Sequence, residues 1–129
     1  MAKKAGQLWI VSLSEALSNR IAVYVEEWNF AHRKEIGSQL IRAADSVSAN
    51  LVEGFGRHHP ADSLRLYYIS RGSLEETLSW IRKAKIRKLI SDFQANDLLL
   101  GYYRLAKGLN AFMRSTRAKI KPPLLPIPK

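Results

Sequence analysis

The chain has 129 residues, of which 47% are hydrophobic, and it carries a formal net charge of +10 with no cysteine. This length predicts one domain, and the lack of cysteine excludes disulfides and thiolate metal sites and favours a reducing compartment. No apolar run approaches the roughly 20 residues of a membrane span, and the run over 8–13 is too short for a secretory signal. We therefore expect a cytoplasmic protein.

The first half of the chain predicts two helices. Apolar residues spaced three and four positions apart indicate a helix over about 8–30, and residues 31–35 have the composition of a polar connection. A second apolar stripe begins at Ile36 and ends at Phe55, where Gly54 and Gly56 allow the chain to turn.

The second half predicts two more helices and a tail. Pro60 suits the first turn of a third helix, which runs to about Leu89, and Ser91 with Gln94 forms a capping box for a fourth. From 121 onward the prolines remove amide donors, so a helix cannot continue.

Long helices with short connections and no strand-like alternation predict an all-α fold, an antiparallel up-down-up-down four-helix bundle. We expect the bundle to cover 8–120, after a flexible N-terminus at 1–7. Residues 121–129 are expected to be an extended or disordered tail, although a proline-rich segment can also serve as a docking strap.

The predicted third helix is apolar on two sides. A monomeric bundle needs only one buried stripe per helix, so the second stripe predicts a subunit interface. The alternative is that Trp80 caps one end of the core and the others are ordinary exposed residues. The first face contains Leu64, Tyr67, Leu74, Leu78, Ile81 and Leu89, and the second contains Leu66, Ile69, Trp80 and Ala84.

Positive charge is concentrated in one third of the chain. Residues 82–121 hold eleven Lys and Arg against two Asp, whereas residues 1–81 hold nine basic and nine acidic residues. Such clustering favours an anionic partner, and we expect nucleic acid, with RNA favoured, although a solvated charged face is the plainer alternative. The predicted contacts are Arg82, Lys83, Lys85, Arg87, Lys88, Tyr103, Arg104, Lys107, Arg114 and Arg117.

Catalytic patterns are lacking. His58 and His59 are adjacent rather than four apart, and no nucleophile elbow accompanies the serines. The stretch from Gly54 to Arg57 follows a helix rather than a strand, so helix termination explains it better than a phosphate loop; anion capture at the next helix start is a minor alternative. We expect no enzymatic activity, no metal and no cofactor.

Two stretches of small residues interrupt the helical pattern. They contain Ser46, Asn50, Glu53, Gly54, Gly56 and Arg57, and then Arg71, Gly72, Ser73 and Glu76. Glycine within a helix costs roughly 1 kcal/mol relative to alanine, which suggests close helix–helix approach. With this motif pair, the chain resembles the four-helix-bundle proteins encoded by intervening sequences in bacterial 23S rRNA genes, over roughly 8–118.

The resemblance extends to accessory variability determinants of diversity-generating retroelements, and it implies a ring-shaped homo-oligomer, a pentamer. The leading hypothesis is a non-enzymatic, basic homo-oligomer that binds structured RNA or other nucleic acid through its third and fourth helices. The alternative is a protein–protein adaptor, such as an accessory subunit for a reverse transcriptase. A self-associating protein with an incidental basic surface is a third interpretation.

Overall fold

The computed structural model describes residues 5–120, and all regular structure in that range is helical. After a turn that follows the first helix, a short helix continues through a π-helical segment into the second long helix. The elements are α1 (Ala5–Glu26), α2 (Phe30–His32), the π segment (Arg33–Gly37), α3 (Ser38–Phe55), α4 (Pro60–Ile86) and α5 (Asp92–Ala118).

The four long helices enclose one hydrophobic core. α3 packs against α1 and α4, α4 against α5, and α5 returns to pack against α1. Each long helix contributes fully buried aliphatic side chains, among them Leu17, Leu51, Leu74 and Leu105. The predicted all-α, four-helix fold is confirmed.

The first connection differs from the prediction. α1 ends at Glu26, residues 27–29 turn, and the segment 31–35 is helical rather than a polar connection. The cause is Asn29, whose Oδ1 accepts a hydrogen bond from the His32 amide at 2.9 Å and caps α2. α1 begins at Ala5, so part of the expected flexible segment 1–7 is helical, while the expected tail at 121–129 lies outside the described residues.

Serine hydroxyls of α4 join that helix to α3. Two of them donate to backbone carbonyls of α3 and one to a hydroxyl, so that polar groups within the packed interface are satisfied. The bonds run from Ser63 Oγ to the Gly54 carbonyl, from Ser70 Oγ to the Val47 carbonyl and from Ser73 Oγ to Ser46 Oγ, each at 2.8 Å.

Gly54 allows the same two helices to approach closely. A Cβ at this position would lie 2.5 Å from Cε1 of Tyr67 and 3.4 Å from Cβ of Leu66, so only glycine fits without a shift. The predicted close helix approach is confirmed here. Gly56 caps α3 with a φ of −85°, which is a conformation that residues other than glycine also adopt.

The prediction that a second apolar stripe of the third helix faces outward is wrong for two of its four residues. Leu66 is 3% exposed and Ala84 is 0% exposed within the single chain, so neither forms an outer face. The prediction assumed that α4 needs one buried stripe, but α4 packs against both α3 and α5 and therefore buries a wider arc. Ile69 remains exposed and Trp80 is half-buried.

Candidate nucleic-acid interface

A basic tip, which we define as Arg82, Lys83, Lys85, Arg87 and Lys88, surrounds the end of α4. All five residues are exposed except Lys85, which is half-buried. α4 ends in a Schellman motif, in which the Leu89 amide donates to the Ala84 carbonyl at 2.9 Å and the Lys88 amide to the Lys85 carbonyl at 3.0 Å. The turn therefore fixes the backbone from which these cations project.

Lys88 occupies the strained position of that motif. Its φ of 60° lies in the left-handed region, where a side chain costs about 1–2 kcal/mol and where glycine is the usual residue. Strained residues of this kind concentrate at functional sites. A lysine here places a charge at the tip where glycine would give the more stable turn.

A basic strip, which we define as Arg104, Lys107, Arg114 and Arg117, follows the solvent side of α5, and all four residues are exposed. At 1.5 Å per residue, Arg104 lies about 18 Å along the helix from Asp92 and Arg117 about 37 Å. The tip and the strip therefore lie at separate levels along the bundle rather than in one compact cluster, and we call the two together the basic track.

The cations of the track have no acidic partner among residues 5–120. The described residues contain two salt bridges, Arg20 with Asp97 and Arg57 with Glu53, both at 2.7 Å. None of the nine basic residues of the tip and strip lies within 4.0 Å of a described carboxylate. Moreover, Arg20 of α1 neutralises the negative charge of Asp97, which is one of the two acidic residues among 82–121. The charge of the track is therefore available to an external anion.

Aromatic rings support three of these cations. Lys83 Nζ lies 4.5 Å from the ring centroid of Trp80, and Arg104 Cζ lies 5.9 Å from that of Trp9. Arg117 Cζ lies 5.9 Å from the centroid of the Tyr68 ring, and Arg117 Nη2 donates a hydrogen bond to the Tyr68 hydroxyl at 2.6 Å. Such contacts restrict the side chains.

Among the aromatic residues of this surface, only Tyr103 is a predicted nucleic-acid contact, and its side chain is 49% exposed. The Trp80–Lys83 contact had a signal, because residues three apart are neighbours on a helix. The contacts of Trp9 with Arg104 and of Tyr68 with Arg117 had no such sequence signal, because each joins two different helices.

The motif residues divide into a group at the α3–α4 contact, whose polar members are half-buried, and an exposed group. Asn50 Nδ2 donates to the carbonyl and hydroxyl of Ser46, at 2.8 and 3.0 Å, which extends the Ser46–Ser73 bond at the α3–α4 contact. Arg71, Gly72 and Glu76 instead are exposed on α4. The first group is structural, whereas the exposure of the second has no explanation within the chain.

Gly72 and Gly54 both lie within helices, but their surroundings differ. A Cβ added at Gly72 would meet no atom within 4 Å, in contrast to Gly54. Because glycine is unfavourable within a helix, packing inside this chain gives no reason for its presence.

A cavity of about 520 Å³ lies where α3 ends and α4 begins. Phe55, Tyr67 and Phe112 line it, together with Arg57 and Lys119. Burial raises the pKa of Tyr67 to about 12, although a hydrogen bond with Ser63 opposes this shift. Arg57 is bound to Glu53, which neutralises its charge and argues against anion capture here.

Within residues 5–120, no group of three or more His, Asp or Glu side chains is arranged to hold a metal ion. Over the same residues, none of the helices has the length and apolar character needed to cross a membrane.

Comparison with known proteins gives one family. No curated protein matches the chain. The model of the 23S rRNA-intervening sequence protein family matches residues 6–111, which include both motif stretches, the basic tip and two residues of the strip. This match covers most of the chain and agrees with the four-helix fold, and on it the chain belongs to the 23S rRNA-intervening sequence protein family.

Proposed function

We propose that this chain is a non-enzymatic protein that binds nucleic acid, with structured RNA favoured, through the basic track of α4 and α5. The observation that carries the proposal is the set of nine basic residues, none of which is paired with a described carboxylate. Phosphate contacts by Lys and Arg supply most of the affinity in binding of this kind and little sequence specificity.

The aromatic residues of the track favour recognition beyond simple charge. Tyr103 and Trp9 are each more than 40% exposed, and each lies next to or against Arg104. Exposed rings stack on unpaired bases, which structured RNA presents in loops and bulges. We therefore expect binding to RNA with such loops to exceed binding to a blunt duplex.

The test is direct binding of the purified protein to a labelled stem-loop RNA at low salt. Arg104→Glu with Arg114→Glu removes two positive charges and adds two negative ones within the strip, and we expect affinity to fall at least tenfold. The matched control is Arg33→Glu with Arg42→Glu, which makes the same charge change at exposed positions outside the track. Equal losses in both variants would mean that net charge alone drives binding.

We also propose that the chain is an antiparallel up-down bundle that assembles into a homo-oligomer, a pentameric ring if it follows the resemblance. The antiparallel direction is supported by contacts of α1 with α5, in which Trp9 meets Gly108 and Arg20 meets Asp97. Assembly is supported by the exposed Gly72, where another surface can approach the α4 backbone closely. A ring would repeat the basic track and make weak contacts multivalent.

Replacing Gly72 by leucine tests the assembly. The larger side chain would block close approach of a second copy, so light scattering should show a lower mass while circular dichroism shows unchanged helix content. A Gly72→Leu variant that keeps its mass would remove this surface from the interface. Val23→Leu, at an exposed position of α1, is the control.

A second function, a protein–protein adaptor, is favoured by exposed apolar residues on α5. Phe93 is 78% exposed and Leu100 is 64% exposed, and a spacing of seven residues places them on one side of the helix. A protein partner such as a reverse transcriptase would depend on these residues rather than on the arginines. A gene for such an enzyme beside this one, together with loss of its binding in Leu100→Asp, would support the adaptor.

A further inference from the structure

An apolar groove runs along the first half of α4. Its volume is about 500 Å³, within the range of roughly 300–1,000 Å³ typical of ligand sites. Tyr68 and Ile69 lie in it although both are exposed, and Arg65 is the only charged residue among its described lining residues. The lining consists of Ala61, Leu64, Arg65, Tyr68, Ile69 and Ile120.

The chain itself leads into this groove. Ile120, which follows the end of α5, is both the last described residue and part of the lining. The sequence continues as KPPLLPIPK, so prolines and large aliphatic residues follow Ile120 along the chain. Between Lys121 and Lys129 this segment carries no charge.

We propose that residues 122–128 of the same chain occupy the groove, with Leu124, Leu125 and Ile127 packed against α4. The length suffices, because the eight-residue step from Ala61 to Ile69 spans about 12 Å of helix and seven residues of extended polyproline chain reach about 22 Å. The occupant is thus an apolar strap that shields Tyr68 and Ile69 from water.

The chemistry of the segment suits an apolar site. Four of its nine residues are proline, which has no N–H to leave without a partner in contact with hydrocarbon. Proline also restricts the free segment, so docking loses less conformational entropy. These features lower the two main costs of burying a short extended chain.

One wall of the groove is held in place. Arg117 donates a hydrogen bond of 2.6 Å to the Tyr68 hydroxyl and lies over the Tyr68 ring. The contact orients Tyr68 on α4 from the last turn of α5, the helix from which the strap begins. Arg117 therefore serves the groove and is the member of the basic strip least free to bind phosphate.

Cysteine crosslinking tests the proposal, because the chain has no cysteine of its own. Ile69→Cys is combined in turn with Leu124→Cys, Leu125→Cys and Ile127→Cys in the full chain, and mild oxidation is followed by mass spectrometry. We expect at least one pair to form an intramolecular disulfide in most of the molecules. Val23→Cys on the exposed side of α1, combined with the same partners, is the control and should remain reduced.

Each other outcome overturns the proposal. Disulfides that join two chains would mean that a second copy supplies the strap, and equal crosslinking of the Val23 control would mean that the segment has no preferred position. If no pair forms a crosslink, residues 122–128 do not occupy the groove, and another partner would have to cover it. As a second readout, deletion of 122–129 should speed amide hydrogen exchange in 61–69 several-fold while leaving α1 unchanged, and unchanged exchange in both would contradict docking.

Discussion

At the scale of single residues, the clearest functional signal is a lysine in a conformation that favours glycine. The φ of 60° at Lys88 closes the Schellman motif of α4, and it also places a positive charge at the turn into α5. If the basic tip binds RNA as proposed, stability favours glycine at this position and RNA binding favours lysine.

Lys88→Gly separates the two demands. Removing the left-handed strain should raise the free energy of unfolding by about 1 kcal/mol, measured by urea denaturation. RNA affinity should fall, because one phosphate contact is lost.

Lys88→Ala is the control for this change, since it removes the charge but keeps a side chain in the left-handed region. It should weaken RNA binding to the same extent without the gain in stability. If Lys88→Gly leaves RNA affinity unchanged, Lys88 is not part of the interface.

At the scale of the helices, α3 and α4 form the most specifically built contact. Serine hydroxyls satisfy backbone carbonyls across it, and Gly54 admits the Tyr67 ring. The two helix-interior glycines of the motif thus have different roles, since Gly54 serves packing inside the chain and Gly72 does not.

The same substitution at both glycines tests this distinction. Gly54→Ala brings a methyl group to 2.5 Å from Tyr67 and should destabilise the protein by about 1–3 kcal/mol. Gly72→Ala should stabilise the isolated chain by up to about 1 kcal/mol, because alanine is the better helix former. Thermal denaturation at low protein concentration measures both, and a loss of stability in Gly72→Ala similar to that in Gly54→Ala would contradict the distinction.

The helices could be predicted because their signals are local. Apolar spacing gave their number, and Ser91 with Gln94 gave the start of α5, where both bonds of the capping box form. The first turn was misplaced because the Asn29 cap was not recognised. Burial of Leu66 and Ala84 depends on which helices surround α4, and the periodicity of one helix does not contain that information.

At the scale of the whole molecule, net charge was predictable but its arrangement was not. Eleven basic residues fall in one third of the chain, and this could be counted from the sequence. The separation of the tip from the strip depends on the fold. So do the aromatic rings that contact Lys83, Arg104 and Arg117, because most of these contacts join different helices. Asp97 was counted against the basic region, but Arg20 of α1 pairs with it. The fold thus exposes more effective positive charge along α5 than the sequence of α5 alone indicates.

The measurement that tests the central claim most directly is the salt dependence of binding to a stem-loop RNA. If the basic track contacts phosphates, the logarithm of the binding constant should fall linearly with the logarithm of salt concentration, with a slope of several units. The slope should flatten in Arg104→Glu with Arg114→Glu and stay the same in Arg33→Glu with Arg42→Glu. Binding that is absent even at low salt, or whose slope is the same in all three proteins, would contradict nucleic-acid recognition by this surface.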